Sequence, residues 1–281
     1  MKYLALIFFL GTLPACAQQT RLPDSVAVTL PEHHDPFRYV SFIPGNYVAA
    51  EVDALGNIYL LTNSYSLRKH NPQGDSIAVY NDVRRYGNPT YLDVSNPLKT
   101  LIYYRNYATV IELDRLLSLR NTINLRSKNI FRVNAATTSY DNNIWIFDEQ
   151  DFKLKKISPE GNVIFESNDF RQLSYAIPAP VYIADVENSV YLYDPVTGFT
   201  IFDQYGSVKQ QLPFLNWKDP RVINGYMTGF SNDQLHTYAS GTLKEKLYVL
   251  PAMLKDIKSI RVNNGRIYAL KDDGLYIYDV K

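Results

Sequence analysis

From residue 46 onward the chain alternates apolar and polar positions in runs of five or six, and clusters of Asn, Asp, Gly and Pro separate the runs. Alternation with a period of two predicts half-buried β-strands, and the intervening residues predict tight turns. One phrase recurs: a turn with Asn or Gly, an aliphatic–aromatic pair, a second alternating strand and a polar turn. Residues 53–61 (DALGNIYLL) lead into 65–70 (YSLRKH) and the turn 71–74 (NPQG). Residues 141–148 (DNNIWIFD) lead into 152–157 (FKLKKI) and 158–161 (SPEG), and 187–194 (ENSVYLYD) into 199–202 (FTIF) and 203–206 (DQYG). Residues 264–271 (NGRIYALK) end in 275–279 (LYIYD), with weaker copies at 100–113 and 234–250.

The first aliphatic of each pair falls at Ile58, Ile102, Ile144, Val190, Leu235 and Ile267, spacings of 44, 42, 46, 45 and 32 residues. Six units follow, each a four-stranded antiparallel meander, which is a propeller blade. The expected fold is all-β, a single six-bladed β-propeller over residues 18–281. The last unit is one strand short. Residues 25–30 (SVAVTL) match the outer-strand phrase 76–80 (SIAVY), so the ring is expected to be closed by this N-terminal strand.

The phrases GNIYLL and LRKHNPQG resemble the NHL repeat and related six-bladed propellers, over most of residues 46–281. The resemblance implies fold more than function, because such propellers serve as scaffolds, as sugar or protein binders and as a few enzymes. The turn 194–198 (DPVTG) is similar to quinoprotein-type repeats, but a single copy reads as a hairpin turn.

The first twenty residues form an address. Lys2 precedes the apolar run 3–10 (YLALIFFL), which is far shorter than the roughly 20 residues needed to span a bilayer. Residues 13–16 (LPAC) resemble a bacterial lipobox, whose cysteine becomes the lipidated first residue of the mature chain, here Cys16. The letters Ala15-Cys16-Ala17 also fit an ordinary signal-peptidase site cutting before Gln18, which would discard the cysteine; residues 1–17 read as a signal peptide with a lipobox-like LPAC. Cys16 is the single cysteine, which leaves the folded domain no disulfide and no thiolate metal site. No acid follows Cys16 directly, unlike the surface-directed lipoproteins of the Bacteroidota. The resemblance therefore implies an outer-membrane lipoprotein facing the periplasm, with soluble periplasmic or secreted protein as the alternative.

Composition narrows the partner. The chain carries 23 Tyr against 13 Gly and 3 Met, a usage suited to pleated strands. Beyond position 20 the formal charge balances, which disfavours nucleic acid and leaves the membrane to the lipid anchor. The common hydrolase, P-loop and zinc-protease signatures are absent. His33, His34 and Asp35 read as a loop, because adjacent side chains on an extended chain point apart. Glu51, Asp93, Asp185 and Asp233 lie near inner strands, where calcium-dependent lactonase propellers gather carboxylates. Asp53, Asp141, Asp203 and Asp272 read as turn residues. No cofactor is expected.

The links between blades and the turns between second and third strands share one face of a propeller. Here the links read as 81–92, 168–181 and 213–230, carrying Arg84, Arg85, Tyr86, Tyr91, Arg171, Tyr175, Trp217 and Arg221, with Arg105 and Tyr107 on a neighbouring turn. Tyr, Trp and Arg are enriched at protein interfaces. The leading reading is a non-catalytic protein-binding scaffold, an accessory subunit of an envelope complex for secretion, outer-membrane assembly or nutrient import. On this reading, replacing Arg85, Tyr86 and Trp217 together removes partner binding and leaves the fold intact. The alternatives are a metal-dependent lactonase-like or lyase-like propeller and a carbohydrate-binding propeller.

Overall fold

The computed structural model describes residues 37–280 apart from 173–176, 224, 233, 240, 241, 243 and 251. Strand β1 (Phe37–Pro44) comes first. Blade 1 is then β2 (Tyr47–Val52), β3 (Ile58–Thr62), β4 (Leu67–His70) and β5 (Ser76–Tyr80). Blade 2 is β6 (Tyr91–Asn96), β7 (Lys99–Tyr104), β8 (Thr109–Asp114) and β9 (Leu119–Asn124), and blade 3 is β10 (Val133–Thr138), β11 (Ile144–Asp148), β12 (Lys153–Ile157) and β13 (Val163–Glu166). Blade 4 is β14 (Tyr182–Val186), β15 (Ser189–Asp194), β16 (Gly198–Asp203) and β17 (Val208–Leu212). Blade 5 is β18 (Lys218–Ile223), β19 (Tyr226–Ser231), β20 (Gln234–Ala239) and β21 (Glu245–Val249). Blade 6 is β22 (Ser259–Asn263), β23 (Arg266–Leu270) and β24 (Gly274–Val280), completed by β1. The first strands of the six blades neighbour one another around a central channel.

The ring closes by an N-terminal strand, as the repeat count requires. The strand paired with β24 is Phe37–Pro44, however, and residues 25–30, Cys16, His33, His34 and Asp35 lie outside the described residues. A second correction concerns blade 5. Its second strand is Tyr226–Ser231, and Leu235 belongs to the third. The aliphatic–aromatic pair is missing there because Gly229 makes room for Trp217: a Cβ at 229 would lie 2.7–3.1 Å from Trp217 side-chain atoms. The link into this blade is correspondingly short, since 218–223 and 226–231 are strands.

The recurring polar turn explains why the third and fourth strands pair. Asn71 Oδ1 accepts from the N–H groups of Gln73 and Asp75 (3.0 and 2.8 Å), and Asp203 Oδ1 from those of Tyr205 and Ser207 (2.8 and 2.9 Å). Asp114 does the same toward Leu116 and Ser118. The side chain thus replaces a backbone acceptor, and the fourth position takes a left-handed conformation that Gly74 and Gly206 supply without a Cβ penalty.

Packing between blades forms six apolar clusters, one for each neighbouring pair. Between blades 2 and 3, Tyr103 and Val110 meet Val133 and Ile146, and between blades 4 and 5, Tyr193 and Phe199 meet Trp217 and Met227. The abundance of tyrosine has a local cause here. Its ring fills the gap between blades while its hydroxyl oxygen meets a backbone N–H of the next blade. Tyr103 Oη accepts from the N–H of Val133 (3.1 Å), Tyr182 Oη from Val222 (3.0 Å) and Tyr193 Oη from Trp217 (2.6 Å). Tyr103 is 1% exposed, so Tyr103→Phe leaves a buried N–H unpaired with no change of shape. The expected loss is about 1–3 kcal/mol, read as a lower urea midpoint with an unchanged slope.

Candidate functional site

The links and the second-to-third-strand turns do form one face. Arg105, on the turn after β7, bonds Glu149 on the turn after β11 (2.5 Å), and its N–H donates to Thr90 in the link before β6. The N–H of Asn216, in the link before β18, donates to Pro195 O on the turn after β15 (2.9 Å). At the centre of this face the channel opens as a cavity of about 320 Å³ lined by Tyr91, Tyr182, Asp219, Arg221, Lys258 and Arg261, with Glu51 below.

Four charged side chains from three blades close the floor. Glu51, fifth residue of β2, accepts from Arg261 through both oxygens (2.6 Å each) and from Arg221 Nη2 (2.9 Å). Asp219 pairs with Arg221 (2.9 Å) and with Arg261, and accepts the N–H of Ile260 (3.0 Å). Two guanidinium groups and two carboxylates neutralise one another. Burial disfavours the charged form of Arg221, but Glu51 and Asp219 outweigh it and hold the guanidinium protonated. Burial likewise pushes the Tyr182 phenol up to about 12, and Arg221 stacks over its ring at 5.2 Å. The cage therefore ties blades 1, 5 and 6 together around a polar, self-satisfied floor.

The other inner carboxylates are also clamps between blades. Asp93 of β6 accepts from the N–H of Thr138 (2.7 Å) and from Thr137 Oγ1 in blade 3. Asp185 of β14 accepts from Ser139 Oγ (2.6 Å) and Trp145 Nε1 (3.0 Å) across the blade 3–4 boundary. Asp233 lies outside the described residues. Among the described residues no three His, Cys, Asp or Glu side chains gather as a metal site. His70 and His236 belong to third strands, β4 and β20, away from the inner strands that line the channel.

The residues expected at an interface separate into two groups. Tyr86 is 6% exposed, packed on Tyr104 at 5.3 Å, and Trp217 is 5% exposed, stacked on Phe214 at 4.6 Å. Arg221 lies in the cage and Tyr91 in the channel wall. These four are framework: Tyr86 and Trp217 fold down from their links into gaps between blades, and Arg221 and Tyr91 are inner-strand residues facing the channel. Tyr175 lies outside the described residues. Arg84 and Arg85 are exposed, and Tyr107 is 51% exposed. Arg105 is partly exposed, and exposed Arg171 is held by Asp169 over Phe152.

The exposed group is part of a connected sector that the sequence reading left incomplete. Arg85 stacks on Tyr86, whose ring meets Tyr107 edge-on at 6.5 Å. Beside Tyr107, Asn106 O accepts from Arg126 Nη2 (3.0 Å), and Glu149 is shared by Arg105 and Arg132 (2.5 and 3.7 Å). Phe131, next to Arg132, is 43% exposed. Five guanidinium groups (Arg84, Arg85, Arg105, Arg126 and Arg132) thus stand against the carboxylates of Asp82 and Glu149, with Asp151 on the Glu149 turn paired instead with Lys155, although the chain as a whole is nearly neutral. Arg126, Phe131 and Arg132 were missed because their link reads as the tail of a weak repeat. Arg261 and Asp219 were missed because nothing in a strand's alternation says that its charge meets another blade's.

No protein-family model matches the chain, and no curated protein does. Solved structures do. The streptogramin B lyase is 15% identical, over 83% of this chain and 78% of that one, with a TM-score of 0.57. A catalytically inactive virginiamycin B lyase from Staphylococcus aureus with quinupristin is 10% identical, over 87% and 100%, at 0.59. The Pan2 WD40 domain of Neurospora crassa is 10% identical, over 87% and 95%, also at 0.59. Lyases and a WD40 domain alike share this architecture, so the likeness carries the propeller fold.

Proposed function

We propose that this propeller is a protein-binding scaffold that engages its partner through the basic–aromatic sector of blades 1–3. The carrying observation is that sector: exposed Tyr107 and Phe131 set among five guanidinium groups, on a neutral chain and a rigid six-fold frame. Aromatic area with a polar rim is what interface hot spots are made of, and the excess of guanidinium fits an acidic contact on the partner. On the same reading the chain is an NHL-like lipoprotein anchored through Cys16 on the periplasmic face of the outer membrane, as an accessory subunit of an envelope complex. One acyl chain alone holds weakly, so stable anchoring needs the further acylation typical of such lipoproteins.

The test is a mild-detergent pull-down of tagged full-length protein from its native envelope, followed by mass spectrometry. A stoichiometric membrane partner is expected. Combined Arg85→Glu, Tyr107→Ala and Arg132→Glu should reduce its recovery more than about 100-fold with an unchanged melting temperature, because none of the three is buried. Full recovery with the triple variant would remove the sector from the interface.

A further inference from the structure

Blade 5 carries three polar side chains whose hydrogen bonds to one another neither tie blades together nor belong to the proposed interface. His236 stands in the middle of β20 with 14% of its side chain exposed. Its Nε2 lies 2.8 Å from Ser231 Oγ, and its Nδ1 lies 2.6 Å from Glu245 Oε1. The register produces this line. Gly229, His236 and Leu247 are paired across three strands, Ser231 lies two residues beyond Gly229, and Glu245 two before Leu247. All three polar side chains therefore project from one face of the sheet.

The chemistry of the line is directional. Glu245 takes the Nδ1–H, which leaves Nε2 as the acceptor for the Ser231 hydroxyl proton, the tautomer that a general base requires. The Trp217 ring packs against the imidazole with centroids 5.1 Å apart and restrains its orientation. Ser231 ends β19, and the next residue, Asn232, turns the chain at a φ of +50°, so a backbone N–H directly follows the hydroxyl. Leu247 and Val249, 53% and 76% exposed, border the line on the same face.

We propose that Ser231, His236 and Glu245 form a nucleophilic site that accepts the acyl group of small activated esters. Ser231 Oγ attacks the carbonyl carbon as its proton passes to His236 Nε2. The bond from that carbon to the leaving oxygen then breaks, and the leaving alcohol takes the proton. A water deprotonated by the same nitrogen releases the carboxylic acid and restores the hydroxyl, so the cycle consumes only ester and water. Trp217 covers one side of the line, and the exposed side chains of Leu247 and Val249 give it a short apolar border that suits a small acyl group.

Full-length protein treated with a fluorophosphonate probe tests the site, with the labelled serine located by tandem mass spectrometry. Ser231 is expected to react at least about tenfold faster than any other serine. Ser231→Ala should abolish the label and Glu245→Gln should slow it severalfold, with circular dichroism unchanged. Labelling of Ser231 no faster than other serines, or a Glu245→Gln variant labelled at the wild-type rate, overturns the proposal. The first is read on the wild-type protein and depends on no variant folding.

Discussion

Glu51→Ala is expected to be among the most destabilising single substitutions in the ring. The side chain accepts from both Arg221 and Arg261, and its removal leaves two guanidinium groups in the channel with Asp219 as their shared carboxylate. Breaking a largely buried ion pair from one side costs about 3–5 kcal/mol, because the partner charge stays desolvated. For a chain of this size that is a fall in melting temperature of roughly 6–20 °C, measured by calorimetry. Acid should weaken the same cage. Burial raises the Asp219 carboxyl, but Arg261 and Arg221 outweigh burial and hold it below the ordinary carboxylate range. With the folded value below the unfolded one near about 3.9, the stabilisation is present above that pH and lost as pH falls toward the folded value.

Trp217→Ala is expected to cost about 3–5 kcal/mol as well, through a cavity rather than a charge. The indole is 5% exposed, lies flat on Phe214, meets Phe199 at 5.9 Å and His236 at 5.1 Å, and covers the bare backbone of Gly229. Its own N–H group on the main chain is held by Tyr193 Oη, so the residue ties a link to the blade before it. A urea titration should show the midpoint falling, and Trp217→Phe should recover part of the loss because a ring still fills the gap. The same substitution separates framework from interface. A variant with Arg85, Tyr86 and Trp217 all replaced would lose its fold along with any partner, whereas the exposed set Arg85, Tyr107 and Arg132 tests binding alone.

Blade count, strand order and turn chemistry were legible along the chain because they depend on neighbours in sequence. The alternation of 58–61 or 190–193, and the Asx turns at Asn71 and Asp203, need no distant partner to form. The closing strand was legible in kind but misplaced, since 25–30 and 37–44 both alternate and only pairing with β24 distinguishes them. Blade 5 was misread where its second strand gives up the aliphatic–aromatic pair for Gly229, a choice that makes sense only with Trp217 above it.

Side-chain roles were decided by the ring itself. Arg85 and Tyr86 are adjacent letters of one link, yet the first is exposed and the second is core, because adjacent side chains leave the backbone in different directions and only Tyr86 faces Tyr104. Glu51 and Arg261 are 210 positions apart and become partners because closure sets blade 6 beside blade 1. The hydrophobic period by itself determined that this chain makes six antiparallel blades. Which charges would cancel in the channel, which aromatics would vanish between blades and which guanidinium groups would stay exposed were settled only by curvature and closure, since these bring together residues that no local pattern relates.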